Sequence, residues 1–299
     1  MADTVLQIES AGKMRGKLEV LQDITLSAEA GQRIALLGHN GAGKSTLMKA
    51  ALGLTPLSSG SITIDGAPAG SAHARTTTAY LPEAVSFHKS ITAAEQLALF
   101  ARLSASDVTE VPALLTRVGL GDAMDRRIGT YSKGMRQRLG LAQVLLARPK
   151  LALLDEPTSG LDPISRYELF AIIDEMAERG TCVVISSHTL TEVEARTDRI
   201  AILRSGKLVA DDTLANLSQK AGLRTRVRIR ANGGEADRIA AEIGGTRING
   251  TSVEILCGSG EKMTELRRLT AMGDAIADID MQPPRLEDLY RFYSSEEAQ

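Results

Sequence analysis

From residue 33 to about residue 217, short apolar runs alternate with longer stretches whose apolar positions repeat at helical spacing. Arg33 to Leu37, Leu151 to Leu154 and Cys182 to Ser186 are each one strand long and almost wholly apolar. Strands apolar on both faces, separated by helices, predict an α/β fold with a parallel sheet covered on both sides. Ser45 to Gly53 reads as the helix after the first of these strands, and Leu169, Ile172, Ile173 and Met176 mark an amphipathic helix between the other two. Ile91 to Gly121 is mostly helical in period and reads as the start of an inserted helical subdomain reaching to about residue 140.

Beyond Gln219 the texture changes. Arg224 to Arg230 alternates Arg or Thr with Val and Ile, the pattern of a half-buried strand. A helix (Ala236 to Ile243), a strand (Ser252 to Leu256), a helix (Lys262 to Met272) and a strand (Ala275 to Asp280) follow. The expected organisation is a large α/β domain, residues 1–219, and a small α+β domain, residues 220–299. Arg224, Arg226, Arg228 and Arg230 read as the solvated face of an edge strand. The sharper alternative is contact with an anionic partner surface or lipid headgroups. Ser294 to Gln299 read as a frayed tail.

Composition narrows the classes. The 299 residues are 43% hydrophobic and 24% charged, with a formal net charge of −2. A soluble core can be buried, and bulk charge offers no attraction for nucleic acid. Cys182 and Cys257 lie far apart without a Cys-x-x-Cys pattern, so neither a disulfide framework nor a zinc site follows, and a reducing cytosolic compartment is expected. The start, Met1 to Thr4, lacks a basic region leading into an apolar one, so no signal peptide is expected. No apolar run approaches the roughly 20 residues that span a bilayer.

The candidate chemistry begins where the first buried strand ends. Gly38-His39-Asn40-Gly41-Ala42-Gly43-Lys44-Ser45 lies between a predicted strand and a predicted helix, which is the P-loop pattern in its required setting. Glycines let the backbone curl around phosphate oxygens, and the helix N-terminus adds positive potential. Gly38, Asn40, Gly41, Ala42, Gly43, Lys44, Ser45 and Thr46 are therefore candidate nucleotide-binding residues. Lys44 is expected to reach the β- and γ-phosphates and the Ser45 hydroxyl to ligate Mg²⁺. The strand Leu151 to Leu154 delivers Asp155, a second candidate Mg²⁺ ligand, and Glu156, which can polarise an attacking water as general base.

Tyr131-Ser132-Lys133-Gly134-Met135-Arg136-Gln137-Arg138 resembles the signature motif of the ABC ATPases, with Ser132 and Gly134 matching its serine and second glycine. Ser159-Gly160-Leu161-Asp162 resembles that family's D-loop, and His188 after Ser186-Ser187 its H-loop histidine. Five motifs in the family's order cover about residues 4–217. The resemblance implies an ATP- and Mg²⁺-dependent P-loop NTPase working as a head-to-tail homodimer. Ser132, Lys133, Gly134 and Met135 of one copy would close over the triphosphate held by Lys44 of the other. It further implies a catalytic His188 touching the γ-phosphate, Asp162 communicating across the interface, and a membrane-embedded permease partner, with the chain peripheral at the cytoplasmic face of the inner membrane.

Four positions depart from the family pattern. Glu83, after Tyr80-Leu81-Pro82, replaces the Q-loop glutamine, and its carboxylate is kept as a Mg²⁺ ligand. Lys133 and Met135 stand where glycine and glutamine are commonest. Arg15 takes the place of the aromatic that stacks on adenine, and a planar guanidinium can also stack on a base.

For the cargo, only resemblance speaks. Residues 80–87, 131–146 and Pro284 to Tyr293 are similar to the ABC ATPase that supports copper-site maturation of nitrous oxide reductase. The expected role is thus copper or sulfur delivery, with a periplasmic accessory protein reached through the permease. His39, His73, His88, His188 and the nine methionines are scattered, so the chain is not expected to bind copper itself. The alternatives are a drug, lipid or sodium exporter, and a soluble non-transport ABC ATPase. The single cassette, without a long heptad run between Lys44 and Asp155, weighs against the soluble class.

Overall fold

Residues 3–187, 189–258 and 260–294 are described by the computed structural model. The chain divides into two units, Met1–Asp211 and Asp212–Gln299. The first begins with β1 (Thr4–Arg15), β2 (Leu18–Glu29), β3 (Arg33–Leu37) and α1 (Lys44–Ala51). Next come β4 (Ser59–Ile64), β5 (Ala67–Pro68), α2 (Ala72–Thr77) and β6 (Thr78–Leu81). Three helices follow, α3 (Ala93–Leu103), α4 (Val111–Arg117) and α5 (Lys133–Ala147). The unit closes with β7 (Leu151–Asp155), α6 (Pro163–Glu178), β8 (Cys182–Ser186), α7 (Leu190–Glu194), β9 (Arg199–Arg204) and β10 (Lys207–Asp212).

Six strands form one sheet in the order β10-β9-β3-β8-β7-β6. Within it β3 runs parallel to β8 and β9, and β7 parallel to β6 and β8. Every residue of β7 and β8 is buried, which is why their sequences show no polar alternation. A second, antiparallel sheet, ordered β2-β1-β4-β5, is absent from the sequence expectations. Helix α1 ties the two together. Its Leu47, Met48 and Ala51 share one buried cluster with Ile8, Leu21 and Ile24 of the antiparallel sheet and Ile34, Leu36 and Val184 of the parallel one. Helices α3, α4 and α5 pack pairwise with Leu97, Leu115 and Leu139 buried, forming the expected helical subdomain. Thr92 and Glu95 cap α3 reciprocally, each side chain accepting from the other's backbone N–H.

The second unit comprises α8 (Leu214–Lys220), β11 (Thr225–Ala231), α9 (Ala236–Ile243), β12 (Thr246–Arg247), β13 (Ser252–Cys257), α10 (Lys262–Thr270), β14 (Ile276–Gln282) and α11 (Leu286–Ser294). Its antiparallel sheet is ordered β12-β13-β11-β14, a ferredoxin-like β-α-β-β-α-β arrangement. The division between units falls at the end of β10, ahead of α8, whereas the sequence placed it near Lys220. Residues 295–299 of the expected frayed tail lie outside the described residues; Ser294 ends α11.

The arginine strand is corrected. β11 lies inside its sheet, hydrogen-bonded to β13 on one side and β14 on the other. Arg224 precedes the strand. The inward side carries Val227 and Ile229, fully buried, and the outward side Arg226, Arg228 and Arg230. Glu254 lies 3.5 Å from Arg226 and 3.7 Å from Arg228, and Asp278 lies 3.6 Å from Arg230. Carboxylates on the neighbouring strands thus answer the arginines.

Both cysteines are buried, Cys182 in β8 and Cys257 in β13. Burial pushes the Cys182 thiol up to about 12. No helix among the described residues is long and apolar enough to cross a membrane.

Candidate functional site

β3 runs directly into residues 38–43, and α1 starts at Lys44. Gly38 presses so closely on the backbone of Leu203 that a Cβ there would sit 2.5 Å from its carbonyl oxygen. Gly43 adopts φ +110, a region closed to most side chains. No side chain caps α1, so its first backbone N–H groups are left for an anion. Lys44 is buried, and its Nζ donates to the carbonyls of Gly38 at 2.5 Å and His39 at 3.4 Å.

The acidic pair arrives from β7. Ser45 Oγ donates to Asp155 Oδ2 at 3.0 Å, and Tyr80 Oη donates to the same oxygen at 3.4 Å. Burial, then the Asp155 charge, pushes the Tyr80 hydroxyl up to about 12. Asp155 Oδ1 accepts from Ser186 Oγ at 2.5 Å. Glu156 follows at φ +49, a left-handed conformation uncommon outside glycine. Arg15, Leu18, Val20, His39 to Thr46, Glu83, Asp155 and Glu156 together line a cleft of about 340 Å³. Residues far apart in sequence, Arg15 and Glu83 included, therefore meet at the P-loop. Ser45, Asp155 and Glu83 offer a hydroxyl and two carboxylates, the hard oxygen donors Mg²⁺ takes alongside water and phosphate. The residues present fit that ion.

A second group stands apart. Ser132 caps α5, accepting from the Met135 N–H at 3.2 Å. Lys133 Nζ donates to Ser159 Oγ at 2.7 Å, and a Cβ on Gly134 would lie 3.1 Å from the Gly160 carbonyl. Asp162 caps α6, and hydrogen bonds from the Ser165 N–H and hydroxyl hold its carboxyl below the usual carboxylate range. Among the described residues, Ser132, Lys133, Gly134, Met135 and Asp162 do not line the P-loop cleft. Lys133 and Gly134 instead pack against the Ser159–Gly160 turn. His188 lies outside the described residues.

Sequence reasoning missed Tyr80 and Ser186 as partners of Asp155. The parallel register that sets Asp155 opposite Ser186 carries the signal for one of them.

Residues 21–159 match the family model described as ABC transporter. The chain is 39% identical over 223 residues to YdbJ, an ABC transporter ATP-binding protein of Bacillus subtilis, covering 73% of this chain and 72% of that protein. It belongs to the ABC transporter ATP-binding proteins. Likeness to another member from Bacillus subtilis, the linearmycin resistance ATP-binding protein LnrL, extends over both units: 30% identity over 301 residues, 96% of this chain and 97% of that one. The lantibiotic transport ATP-binding protein SrtF of Streptococcus pyogenes is 38% identical over 69% of this chain and 90% of its own length. Among solved structures, an ATP-binding subunit of an ABC transporter superposes with a TM-score of 0.70 at 29% identity, over 80% of this chain and 99% of that one. The fold is that of an ABC ATPase, a member of the P-loop NTPases.

Proposed function

We propose that the chain hydrolyses ATP as the energy-coupling subunit of a membrane transporter, two copies closing over two nucleotides beneath a membrane-embedded permease. The observation that carries this is the Ser45–Asp155 hydrogen bond at 3.0 Å, with Glu156 the next residue in the same cleft. The backbone N–H groups of Gly41, Gly43, Lys44 and Ser45 and the Lys44 ammonium bind the phosphates. Arg15 stacks on the base. Ser45, Asp155 and Glu83 hold Mg²⁺, which when bound neutralises charge on the β- and γ-phosphates. Glu156 accepts a proton from the attacking water, and His188, by family resemblance, contacts the γ-phosphate. Ser132, Lys133, Gly134 and Met135 serve the other copy's triphosphate, and Asp162 links the two sites.

For the cargo, the likeness to LnrL across nearly the whole of both chains favours export of an antimicrobial compound. The nitrous oxide reductase reading rests on residues 80–87, 131–146 and 284–293, and in it a periplasmic accessory protein acts through the permease. Two measurements test these proposals. The purified chain should show Mg²⁺-dependent ATP hydrolysis that Glu156→Gln abolishes while nucleotide binding persists; unchanged turnover in that variant removes Glu156 from the base role. A deletion strain should become sensitive to antimicrobial compounds and keep nitrous oxide reduction. The reverse pattern favours copper-site maturation.

A further inference from the structure

Parallel pairing of β7 with β8 sets Asp155 opposite Ser186, the last residue of its strand. Ser186 is wholly buried, and its one hydroxyl serves two neighbours. It donates to Asp155 Oδ1 at 2.5 Å and accepts from the Glu156 N–H at 3.0 Å. The direction follows from valence: an ionised carboxylate accepts only, so the hydroxyl proton points at Asp155 and a lone pair remains for the amide. The Ser186 carbonyl also receives the Glu156 N–H, at 3.2 Å. These two acceptors belong to one residue.

Two consequences meet at this hydroxyl. By occupying Oδ1 it turns Oδ2 towards Ser45, whose hydroxyl lies 3.0 Å away. By holding the amide of Glu156 it sustains a backbone at φ +49, which a side chain other than glycine adopts only when its surroundings hold it there. The direction in which Glu156 leaves the strand is fixed by that backbone.

We propose that Ser186 is a positioning residue for nucleotide hydrolysis, its single hydroxyl orienting the metal-binding carboxylate of Asp155 and the backbone of the general base Glu156. This rests on the roles given above to those two residues. A serine that merely satisfies a buried sheet would affect stability alone. A positioning serine also affects the Mg²⁺-dependent part of nucleotide binding and the catalytic step.

The test compares Ser186→Ala and Ser186→Cys with the wild-type full chain. A fluorescent ATP analogue is titrated in EDTA and in Mg²⁺, and kcat and KM are measured separately. The cysteine variant keeps the volume and supplies only a weak donor, so it reports the lost hydrogen bond without a cavity should the alanine variant fail to fold. The expected result is unchanged affinity in EDTA, with the gain on adding Mg²⁺ and kcat each lowered by roughly 10–100-fold, as for other partners of metal ligands. KM for ATP in Mg²⁺ rises along with that lost gain. A folded variant with the wild-type Mg²⁺ gain and kcat overturns the proposal. Failure of the wild-type chain itself to hydrolyse ATP would instead overturn the functional reading beneath it.

Discussion

The Lys133 ammonium donates to the Ser159 hydroxyl at 2.7 Å, tying the start of α5 to the loop that ends at Asp162. Gly160 makes room for this contact, since a Cβ there would sit 2.8 Å from Lys133 Cδ. The signature segment of this chain thus carries a lysine with a partner. Lys133→Ala is expected to weaken ATP-driven dimerisation in a Glu156→Gln background by about 1 kcal/mol, roughly fivefold, the scale of one hydrogen bond. Sedimentation velocity at several protein concentrations measures it, and unchanged dimerisation would leave the tether without a role in closure.

Arg15 shares its end of the cleft with Leu18 and Val20, without an aromatic ring. A guanidinium plane stacks on either purine, so ATP and GTP are expected to turn over about equally. Arg15→Ala should raise KM for both by about 1 kcal/mol. Steady-state kinetics with the two nucleotides decide the matter, and strict ATP preference in the wild type would count against the stack.

Asp212 collects three donors at the foot of α8: the Thr213 N–H at 2.8 Å, Asn216 Nδ2 at 2.7 Å and Lys220 Nζ at 2.8 Å. The Lys220 hydrogen bond above all holds its carboxyl down at about 2. A depressed folded-state value means the stabilisation is intact above the ordinary carboxylate range and fades as pH falls towards 2. Asp212→Asn should therefore flatten the pH dependence of thermal stability between roughly pH 4 and pH 2. Melting curves across that window, compared with wild type, check it.

Ile229 is fully buried in β11, in one cluster with Val227, Ile239 and Val253. Ile229→Ala is expected to destabilise the second unit by about 2–5 kcal/mol, the range for a large-to-small change in a core. A urea transition unchanged in midpoint would contradict that packing.

What the sequence disclosed follows from locality. β3, β7 and β8 were legible because burial on both faces leaves a continuous apolar run, and the P-loop because its strand, glycines and helix are contiguous. Elements of the second unit showed through strict alternation in β11 and helical spacing in α9. β1 and β2 did not show, because register shifts between Ile8 and Ala11 and between Ala11 and Lys13, with left-handed Ser10 and Asp23, break the period that betrays a strand. The edge assignment of β11 failed for a different reason: its neighbours β13 and β14 are set by tertiary topology, which no local pattern encodes. The same holds in the site, where Ser186 gains its meaning only from the register that puts it opposite Asp155.

Cys182 and Cys257 are the chain's only thiols, and both lie within sheets. To a maleimide the native fold is effectively cysteine-free, because an enclosed thiol held as the neutral form is a poor nucleophile. One cysteine introduced at exposed Tyr167, early in α6, would then carry a spectroscopic label alone, and any modification of Cys182 would time the opening of the parallel sheet.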